Sequence, residues 1–225
     1  RRQRQMCIRD RSRLDAQRLP NKPLKLINNK EMILHVYEAA KKSNAGEVYV
    51  ATPDKAIFEL VSNYGGKAVL SSETHNTGTD RIFEVFKNTL KSMPNIIVNL
   101  QGDMPNIEPK IIKNLINYMQ QGKCEVGTLA SEIKNNFELE DENIVKVLVK
   151  EKLKEGIFSE ALDFLRVNPG QNHKTYHHVG IYAFTSIALT KYVSLKRSKL
   201  ELNRKLEQLR AMENGMSIHV GYILS

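Results

Sequence analysis

The chain has 225 residues, 41% of them apolar, no Trp, and a formal net charge of +9. That length and apolar share suit one large α/β domain, or a domain with a small lobe, and can bury a substantial core. No apolar run approaches the roughly 18 residues of a membrane span, and the arginine-rich start has no apolar stretch behind it to make a secretory signal, so a cytoplasmic location is expected. Cys7 and Cys124 lack the paired spacing of a zinc site or a disulfide framework and read as chemically idle thiols.

The net charge invites a nucleic-acid reading, but its distribution weakens it. Residues 1 to 12, "RRQRQMCIRDRS", hold five arginines against Asp10, so four of the nine net charges lie there and five in the rest. The segment resembles the translated sequencing-adapter peptide found at the ends of assembled open reading frames. It is read as a non-native tail and set aside; a disordered basic tail is the other reading. Next comes "RLDAQRLPNKPLKLI", residues 13 to 27, where Arg13, Arg18 and Lys22 lie in a loop that Pro20 and Pro23 stiffen. Guanidinium groups grip phosphate oxygens bidentately and lysine serves as a movable point charge, so the loop suits a polyanion such as a triphosphate. Basic surface loops are also common.

From residue 30 the chain alternates helix and strand patterns. "EMILHVYEAAKKS" sets Met32, Ile33, Val36, Tyr37 and Ala40 on one helical face, and "EVYVAT" is a short buried strand. "DKAIFELVSNYGG" predicts a second helix and "KAVLS" a second strand. "TDRIFEVFKNTL" aligns Ile82, Phe83, Phe86 and Leu90, and "NIIVNL" is the clearest buried strand of the chain. "EPKIIKNLINYMQQG" follows, with Pro109 suited to a first helical turn and Gly122 to an end. Such alternation predicts a Rossmann-like, mostly parallel sheet flanked by helices.

After about residue 124 the pattern changes. "CEVGTLASEI", "NIVKVLVKE" and "EGIFSEAL" follow one another without long helices, which predicts a small mixed or antiparallel lobe at about residues 124 to 197. "HHVGIYAF" is a further strand and "TSIALTKYVSL" a short helix. "SKLELNRKLEQLRAMENG" reads as one helix, with Ser198 and Glu201 as a capping box, Leu202, Leu206 and Leu209 as the buried stripe, and Asn214-Gly215 as the stop. "SIHVGYIL" is a last strand.

In open parallel sheets ligands bind at the carboxyl ends of strands. Directly after the strand "IIVNL" stands "QGDMP", residues 101 to 105. A carboxylate emerging there has the placement of a magnesium ligand, since Mg²⁺ commonly takes one or two carboxylates and completes its shell with water and substrate phosphates. Asp103 is the candidate; the plain alternative is that Gly102-Asp103 is only a turn. Gln101 suits a hydrogen bond to a base, a sugar or the backbone.

Five segments, "RLDAQRLPNKPL", "HNTGTDR", "VNLQGDMP", "HHVGIYAF" and "KLEQLRAMENGMSIHV", stand in this order across residues 13 to 220. Together they resemble the 3-deoxy-manno-octulosonate cytidylyltransferases, or CMP-Kdo synthetases. The resemblance implies a nucleotidyltransferase fold and transfer of CMP from CTP to the eight-carbon acid sugar Kdo. Pyrophosphate is released, and the reaction serves lipopolysaccharide synthesis. It further implies Mg²⁺, a homodimer, and neither nucleic acid nor membrane as a partner.

By similarity, Arg13, Arg18 and Lys22 would hold the CTP phosphates, with Lys22 also acting in catalysis, and Asp103 would bind magnesium. Thr79 and Arg81 would sit near the nucleotide, although a helix cap with a surface arginine is an equal reading of "GTDR". Gln101 would lie where nucleotide and sugar meet. His178, Tyr182, Glu207 and Gln208 match positions that shape the sugar-acid site; from the residues alone, His178 is equally a satisfied strand histidine, and the other two polar residues are solvated, with Gln208 opposite the leucine stripe.

Three departures from the family pattern stand out. "CIRDRS" occupies the place of the family's apolar first strand and Pro-Ala-Arg turn, so the sheet is expected to lack that strand. The chain stops at Ser225, before a downstream segment that carries a second magnesium aspartate. Ser159-Glu160-Ala161 replaces Ser-Arg-Ala, which removes a cation expected to face the sugar acid. The two end departures bear on whether a chain with these ends is active. A cytidylyltransferase for another acid sugar, of sialic acid type, is the nearest alternative. A basic RNA-binding domain is the other, although its Tyr and Phe residues fall mostly within helix stripes and strands rather than on a basic face.

Overall fold

Strands with apolar residues on both faces require helices on both sides, and that requirement organises the first half of the chain. The computed structural model describes the backbone of residues 4–9, and residues 21–72, 75, 77–89, 94–170 and 174–224. The chain divides into two compact units, Arg1–Ile116 and Asn117–Ser225.

The first unit begins with β1 (Arg4–Arg9). A 3₁₀ turn over Lys22–Leu24 precedes a small hairpin, β2 (Leu26–Ile27) and β3 (Lys30–Glu31). Its tip, Asn28-Asn29, has φ of 49° and 62°, the left-handed pair that a two-residue hairpin turn demands. Then follow α1 (Met32–Lys42), β4 (Glu47–Thr52), α2 (Lys55–Asn63), β5 (Lys67–Leu70), α3 (Gly78–Thr89), β6 (Ile96–Gln101) and the start of α4 (Pro109–Met119). Asp54 caps α2 by accepting the Ala56 amide at 2.8 Å, and Gly122 closes the turn after α4 at φ 69°. Ile33, Val36, Ile57, Val61, Ile82 and Phe86 face the core, as their spacing predicts. Phe83 is only half-buried and Val85 takes the core position beside it; Leu90 lies outside the described residues.

These strands are parallel, in the order β5-β4-β1-β6. The expectation that the sheet lacks its first strand is therefore not met. Arg4–Arg9 takes that place, with Met6 opposite both Val48 of β4 and Val98 of β6. The reason is that a parallel ladder is made by backbone groups, and the facing edges of β4 and β6 would otherwise bury unpaired N–H and C=O groups.

The second unit contains β7 (Val126–Ser131), α5 (Asn136–Glu140), β8 (Lys146–Val149), β9 (Phe158–Leu165), β10 (Thr175–Thr185), α6 (Ser186–Ser194), α7 (Lys199–Arg204), α8 (Gln208–Glu213) and β11 (Ile218–Tyr222). β7 and β11 are parallel, whereas the β10–β7, β11–β9, β8–β9 and β10–β8 pairs are antiparallel. Five strands thus pair in a closed circuit around Leu129, Val147, Phe164, Ile181 and Val220. Lys146 is fully buried there, and its Nζ donates to the Asp141 and Arg166 carbonyls at 2.6 and 2.8 Å. Burial pushes its pKa down. Cys124 is buried as well, and desolvation pushes its thiol pKa up to about 12, which leaves almost no thiolate at neutral pH. The short α5, which no sequence pattern predicts, is capped by the Asn135 side chain accepting the Glu138 amide.

The expected single helix over residues 198 to 214 is instead two. The capping box of Ser198 and Glu201 forms as expected, but Lys205 turns to φ 55° and the chain re-enters helix at Gln208. Glu201 and Arg210 require the break. Nine residues along a continuous helix would put them about 13 Å apart on opposite faces, yet Arg210 Nη2 and Nε reach Glu201 Oε1 and Oε2 at 2.7 and 2.9 Å. Both are almost fully buried, at 2% and 1% exposure. Breaking the helix divides the expected stripe, so Leu206 and Leu209 are buried while Leu202 is exposed.

Two expectations for stability follow. Burial pushes the Glu201 carboxyl pKa up, but bonds from Arg210, Arg197 and the Ser198 amide outweigh it and leave it below its ordinary value near 4.5. A carboxyl with a depressed folded-state pKa adds stability above its unfolded value and loses it as pH falls through the folded one. In urea unfolding, Glu201→Gln should therefore be less stable than wild type at pH 7, by up to the roughly 3–5 kcal/mol of a broken buried pair. The gap should narrow below pH 4.5. Separately, a Cβ on Gly221 would lie 2.4 Å from the Phe158 ring, which cannot retreat because it stacks on Tyr118 at 3.7 Å with an interplanar angle of 3°. Gly221→Ala should cost about 1–3 kcal/mol in the same measurement.

Candidate active site

In the first unit the strand order reverses between β1 and β6, for the chain builds outward through β4 and β5 and then returns to the other side of β1. Carboxyl ends of strands at such a reversal diverge and leave a crevice for a ligand. The residues after β6 are Gly102, which is buried, and Asp103, which is half-exposed. Lys22 comes to the same place from the 3₁₀ turn, where Asn21 at φ 56° and the buried Pro23 set its direction. Its Nζ lies 2.8 Å from Asp103 Oδ2, with the side chains 35% and 29% exposed. An ion pair so open to water contributes about 1 kcal/mol at most, so stability is a poor reason for it. It marks a point where a mobile cation and a carboxylate converge at a strand end.

Among the described residues no three His, Cys, Asp or Glu side chains cluster as a ready metal cage. A lone carboxylate at a strand end fits Mg²⁺ only with phosphate oxygens and water to complete the shell, which is the coordination Mg²⁺ ordinarily takes beside a nucleotide.

Thr79 and Arg81 occupy the first turn of α3, and both are buried, at 1% and 8% exposure. The reading of "GTDR" as a cap with a surface arginine is thus corrected. Capping falls to Thr77 and Asp80, which bond reciprocally: Thr77 N–H and hydroxyl donate to Asp80 Oδ2 at 3.1 and 2.7 Å, and the Asp80 amide donates back at 3.4 Å. His75 of the same segment pairs with Glu84. Thr79 Oγ1 accepts from Asn99 Nδ2 of β6 at 3.4 Å. Asn99 and Gln101, two residues apart on one strand, point to the same face, so α3 and β6 bring Thr79, Asn99 and Gln101 to one side of the sheet. Asn99 joins the candidate residues here, and sequence reasoning missed it. Its signal is a polar side chain within an otherwise apolar buried strand, and among the described residues its Oδ1 has no donor, a condition that folded proteins rarely tolerate without a use. Arg13 and Arg18 lie outside the described residues.

The sugar-acid candidates belong to the second unit. The β10–β7 pairing slips between Val179 and Tyr182, and this bulge brings together residues that four strand positions would hold about 13 Å apart. The His178 and Tyr182 rings lie 5.4 Å apart. Thr128 hydroxyl donates to the Ile181 carbonyl at 2.7 Å and meets His178 Nε2 at 2.9 Å. With its one proton spent on that carbonyl, Thr128 accepts from the imidazole, which sets His178 as the Nε2–H tautomer. Phe164 stands edge-on to the same ring at 5.0 Å. From Tyr182 the aromatic contacts continue through Phe184 to Tyr192, at 6.3 and 5.8 Å.

Tyr192 hydroxyl donates to the Glu207 carbonyl at 2.8 Å, and Glu207 is the half-buried residue before α8. Gln208 begins that helix at 6% exposure, so its placement as a solvated residue is corrected: it is buried, and the helix breaks ahead of it. Glu160 is exposed on β9 opposite His219, with Lys150 Nζ 3.5 Å from its carboxylate. Burial lowers the His219 pKa against the pull of Glu160.

Comparison with known proteins bears directly on these features. The family model for cytidylyltransferases matches residues 11–218. The 3-deoxy-manno-octulosonate cytidylyltransferase of Thermodesulfovibrio yellowstonii is 40% identical over 93% of this chain and 87% of its own length. That of Paramagnetospirillum magneticum is 38% identical over 92% and 85%. The solved structure of a CMP:2-keto-3-deoxy-manno-octonic acid synthetase complexed with CTP superposes with a TM-score of 0.86 at 34% identity, over 98% of this chain and 90% of that one. A mixed α/β fold with a phosphate-ready strand end, and relatives this similar over nearly the whole length, place the chain in the cytidylyltransferase family, among the 3-deoxy-manno-octulosonate cytidylyltransferases.

Proposed function

We propose that this protein transfers CMP from CTP to 3-deoxy-D-manno-octulosonate, releasing pyrophosphate, in support of lipopolysaccharide synthesis. The observation that carries the reading is the 2.8 Å approach of Lys22 to Asp103 at the end of β6, in a chain whose 34% identical structural relative is described with CTP bound.

The chemistry asks for little covalent machinery. The anomeric hydroxyl of the sugar attacks the α-phosphorus in line; its oxygen forms the new P–O bond and gives up its proton to water as the bond to the bridging α–β oxygen breaks and pyrophosphate leaves. Two anions must first be held together, and the charge on the departing group must be neutralised. Lys22, with Arg13 and Arg18 of the same loop, supplies cations for the triphosphate, and Lys22 acts chiefly on the leaving group. Asp103 would hold Mg²⁺, which when bound offsets triphosphate charge. Thr79, Arg81 and Gln101 contribute to the nucleotide side, with Asn99 behind them. His178, Tyr182, Glu207 and Gln208 form the sugar-acid side, and Gln101 serves both.

A cytoplasmic homodimer is part of the proposal. Lys150 beside Glu160 offers a cation near the position where the family pattern has arginine.

Pyrophosphate release with CTP, Kdo and Mg²⁺ tests the reading, with UTP and ATP in place of CTP and a sialic acid in place of Kdo as controls. Asp103→Asn should lower turnover by at least about 10², the scale of one lost electrostatic contact to a transition state. Unchanged Mg²⁺-dependent turnover in that variant would remove Asp103 from the site. Lys22→Ala should depress kcat more than it raises KM for CTP, as expected of a charge that matters most in the transition state. A rise in KM alone would make Lys22 a ground-state anchor.

A further inference from the structure

We infer that Tyr192 is a positioning residue for sugar-acid recognition: through its hydroxyl and ring it fixes the Glu207-Gln208 turn against the aromatic side chains of β10. The inference rests on the reading of Glu207 and Gln208 as sugar-acid contacts and extends it to a residue that touches no substrate.

The turn has little rigidity of its own. It joins two helices of six residues each, too short to persist without tertiary support, through a non-glycine residue, Lys205, in the left-handed region. Glu207 precedes α8 without a side-chain capping bond. Its carbonyl is held instead, by the Arg210 amide at 3.2 Å and by the Tyr192 hydroxyl at 2.8 Å.

Tyr192 can serve as a fixed point because it is itself fixed. It is 1% exposed, and a buried phenol needs an acceptor. Arg210 lies over its ring at 4.6 Å. That guanidinium is clamped by both oxygens of Glu201, and Glu201 is held in turn by Arg197 Nε at 2.9 Å and the Ser198 amide at 3.2 Å. On its other side Tyr192 meets Phe184, from which contacts run through Tyr182 to His178. The strand-borne pair and the turn-borne pair of sugar-acid candidates are therefore linked through Phe184 and Tyr192, and only Tyr192 touches the turn itself.

Removing Glu201 or Arg210 would strand a buried charge and threaten the fold, so the informative variant is Tyr192→Phe, which keeps the ring and deletes one hydroxyl. It should raise KM for Kdo about three- to tenfold, the scale of one hydrogen bond, and leave KM for CTP within about twofold. Amide hydrogen exchange should accelerate at residues 205 to 209 and not elsewhere. An unchanged KM for Kdo, or equal rises in both KM values with faster exchange throughout, would overturn the inference. Glu207→Ala and Gln208→Ala run in parallel separate the two readings. If these raise KM for Kdo and Tyr192→Phe does not, the positioning role alone falls; if neither raises it, the assignment of the turn to the sugar acid falls and the inference falls with it.

Discussion

The reversal of strand order between β1 and β6 is the constraint on which the placement of Lys22 and Asp103 depends. Parallel strands send all their carboxyl ends to one edge of the sheet, and helices cover that edge except where consecutive connections leave in opposite directions. Asp103 follows β6 at that edge, and Lys22 is delivered there by a turn that Asn21 and Pro23 hold in shape. The backbone ladder of Arg4–Arg9 is a necessary part, because without a strand between β4 and β6 there is no reversal and no crevice.

The second unit positions its groups by another means. Its five strands pair in a circuit in which all pairs but β7–β11 are antiparallel, so carboxyl ends do not gather at one rim, and side chains are aimed by irregularities. The bulge after Val179 compresses β10 and brings His178 to Tyr182. The break at Lys205 turns Glu207 and Gln208 out of a helix that would have continued past them. Each irregularity is held by buried polar bonds: the Thr128 hydroxyl spans the first, and Glu201 with Arg210 spans the second. Cationic side chains also satisfy nearby carbonyls, with Arg166 reaching those of Arg204 and Glu142 and Arg204 reaching that of Phe164.

Most of the first unit is legible in the sequence because its signals are local. Caps such as Asp54, the first-turn Pro109, the stop at Gly122 and the run "IIVNLQ" mark their elements without knowledge of neighbours. Asp103 is legible for the same reason, as a carboxylate following a buried strand. What escaped depends on partners far along the chain. β1 forms through pairing with residues 47 to 51 and 96 to 101, while its arginine-rich composition argues against a strand. The helix break has no glycine or proline to announce it; the capping box at one end and Asn214-Gly215 at the other suggest continuity, and the cause is an ion pair nine residues apart. Burial of Thr79 and Arg81 escaped because the cap belongs to Thr77, two residues before the threonine of the motif.

Two ion pairs show why exposure matters as much as geometry. Lys22–Asp103 and Arg210–Glu201 have the same shortest separation, 2.7 to 2.8 Å. The first is open to water, so parting its members costs about 1 kcal/mol at most, and each charge can turn to a new partner when a triphosphate arrives. The second is closed to water, and parting it would leave two desolvated charges at a cost of about 3–5 kcal/mol. An exchangeable pair belongs where ligand charges must be received and released in every turnover. The permanent pair pins the helix break at Lys205, and with it the positions of Glu207 and Gln208. The same chemistry, set at two depths, therefore yields one pair that can exchange partners and one that cannot.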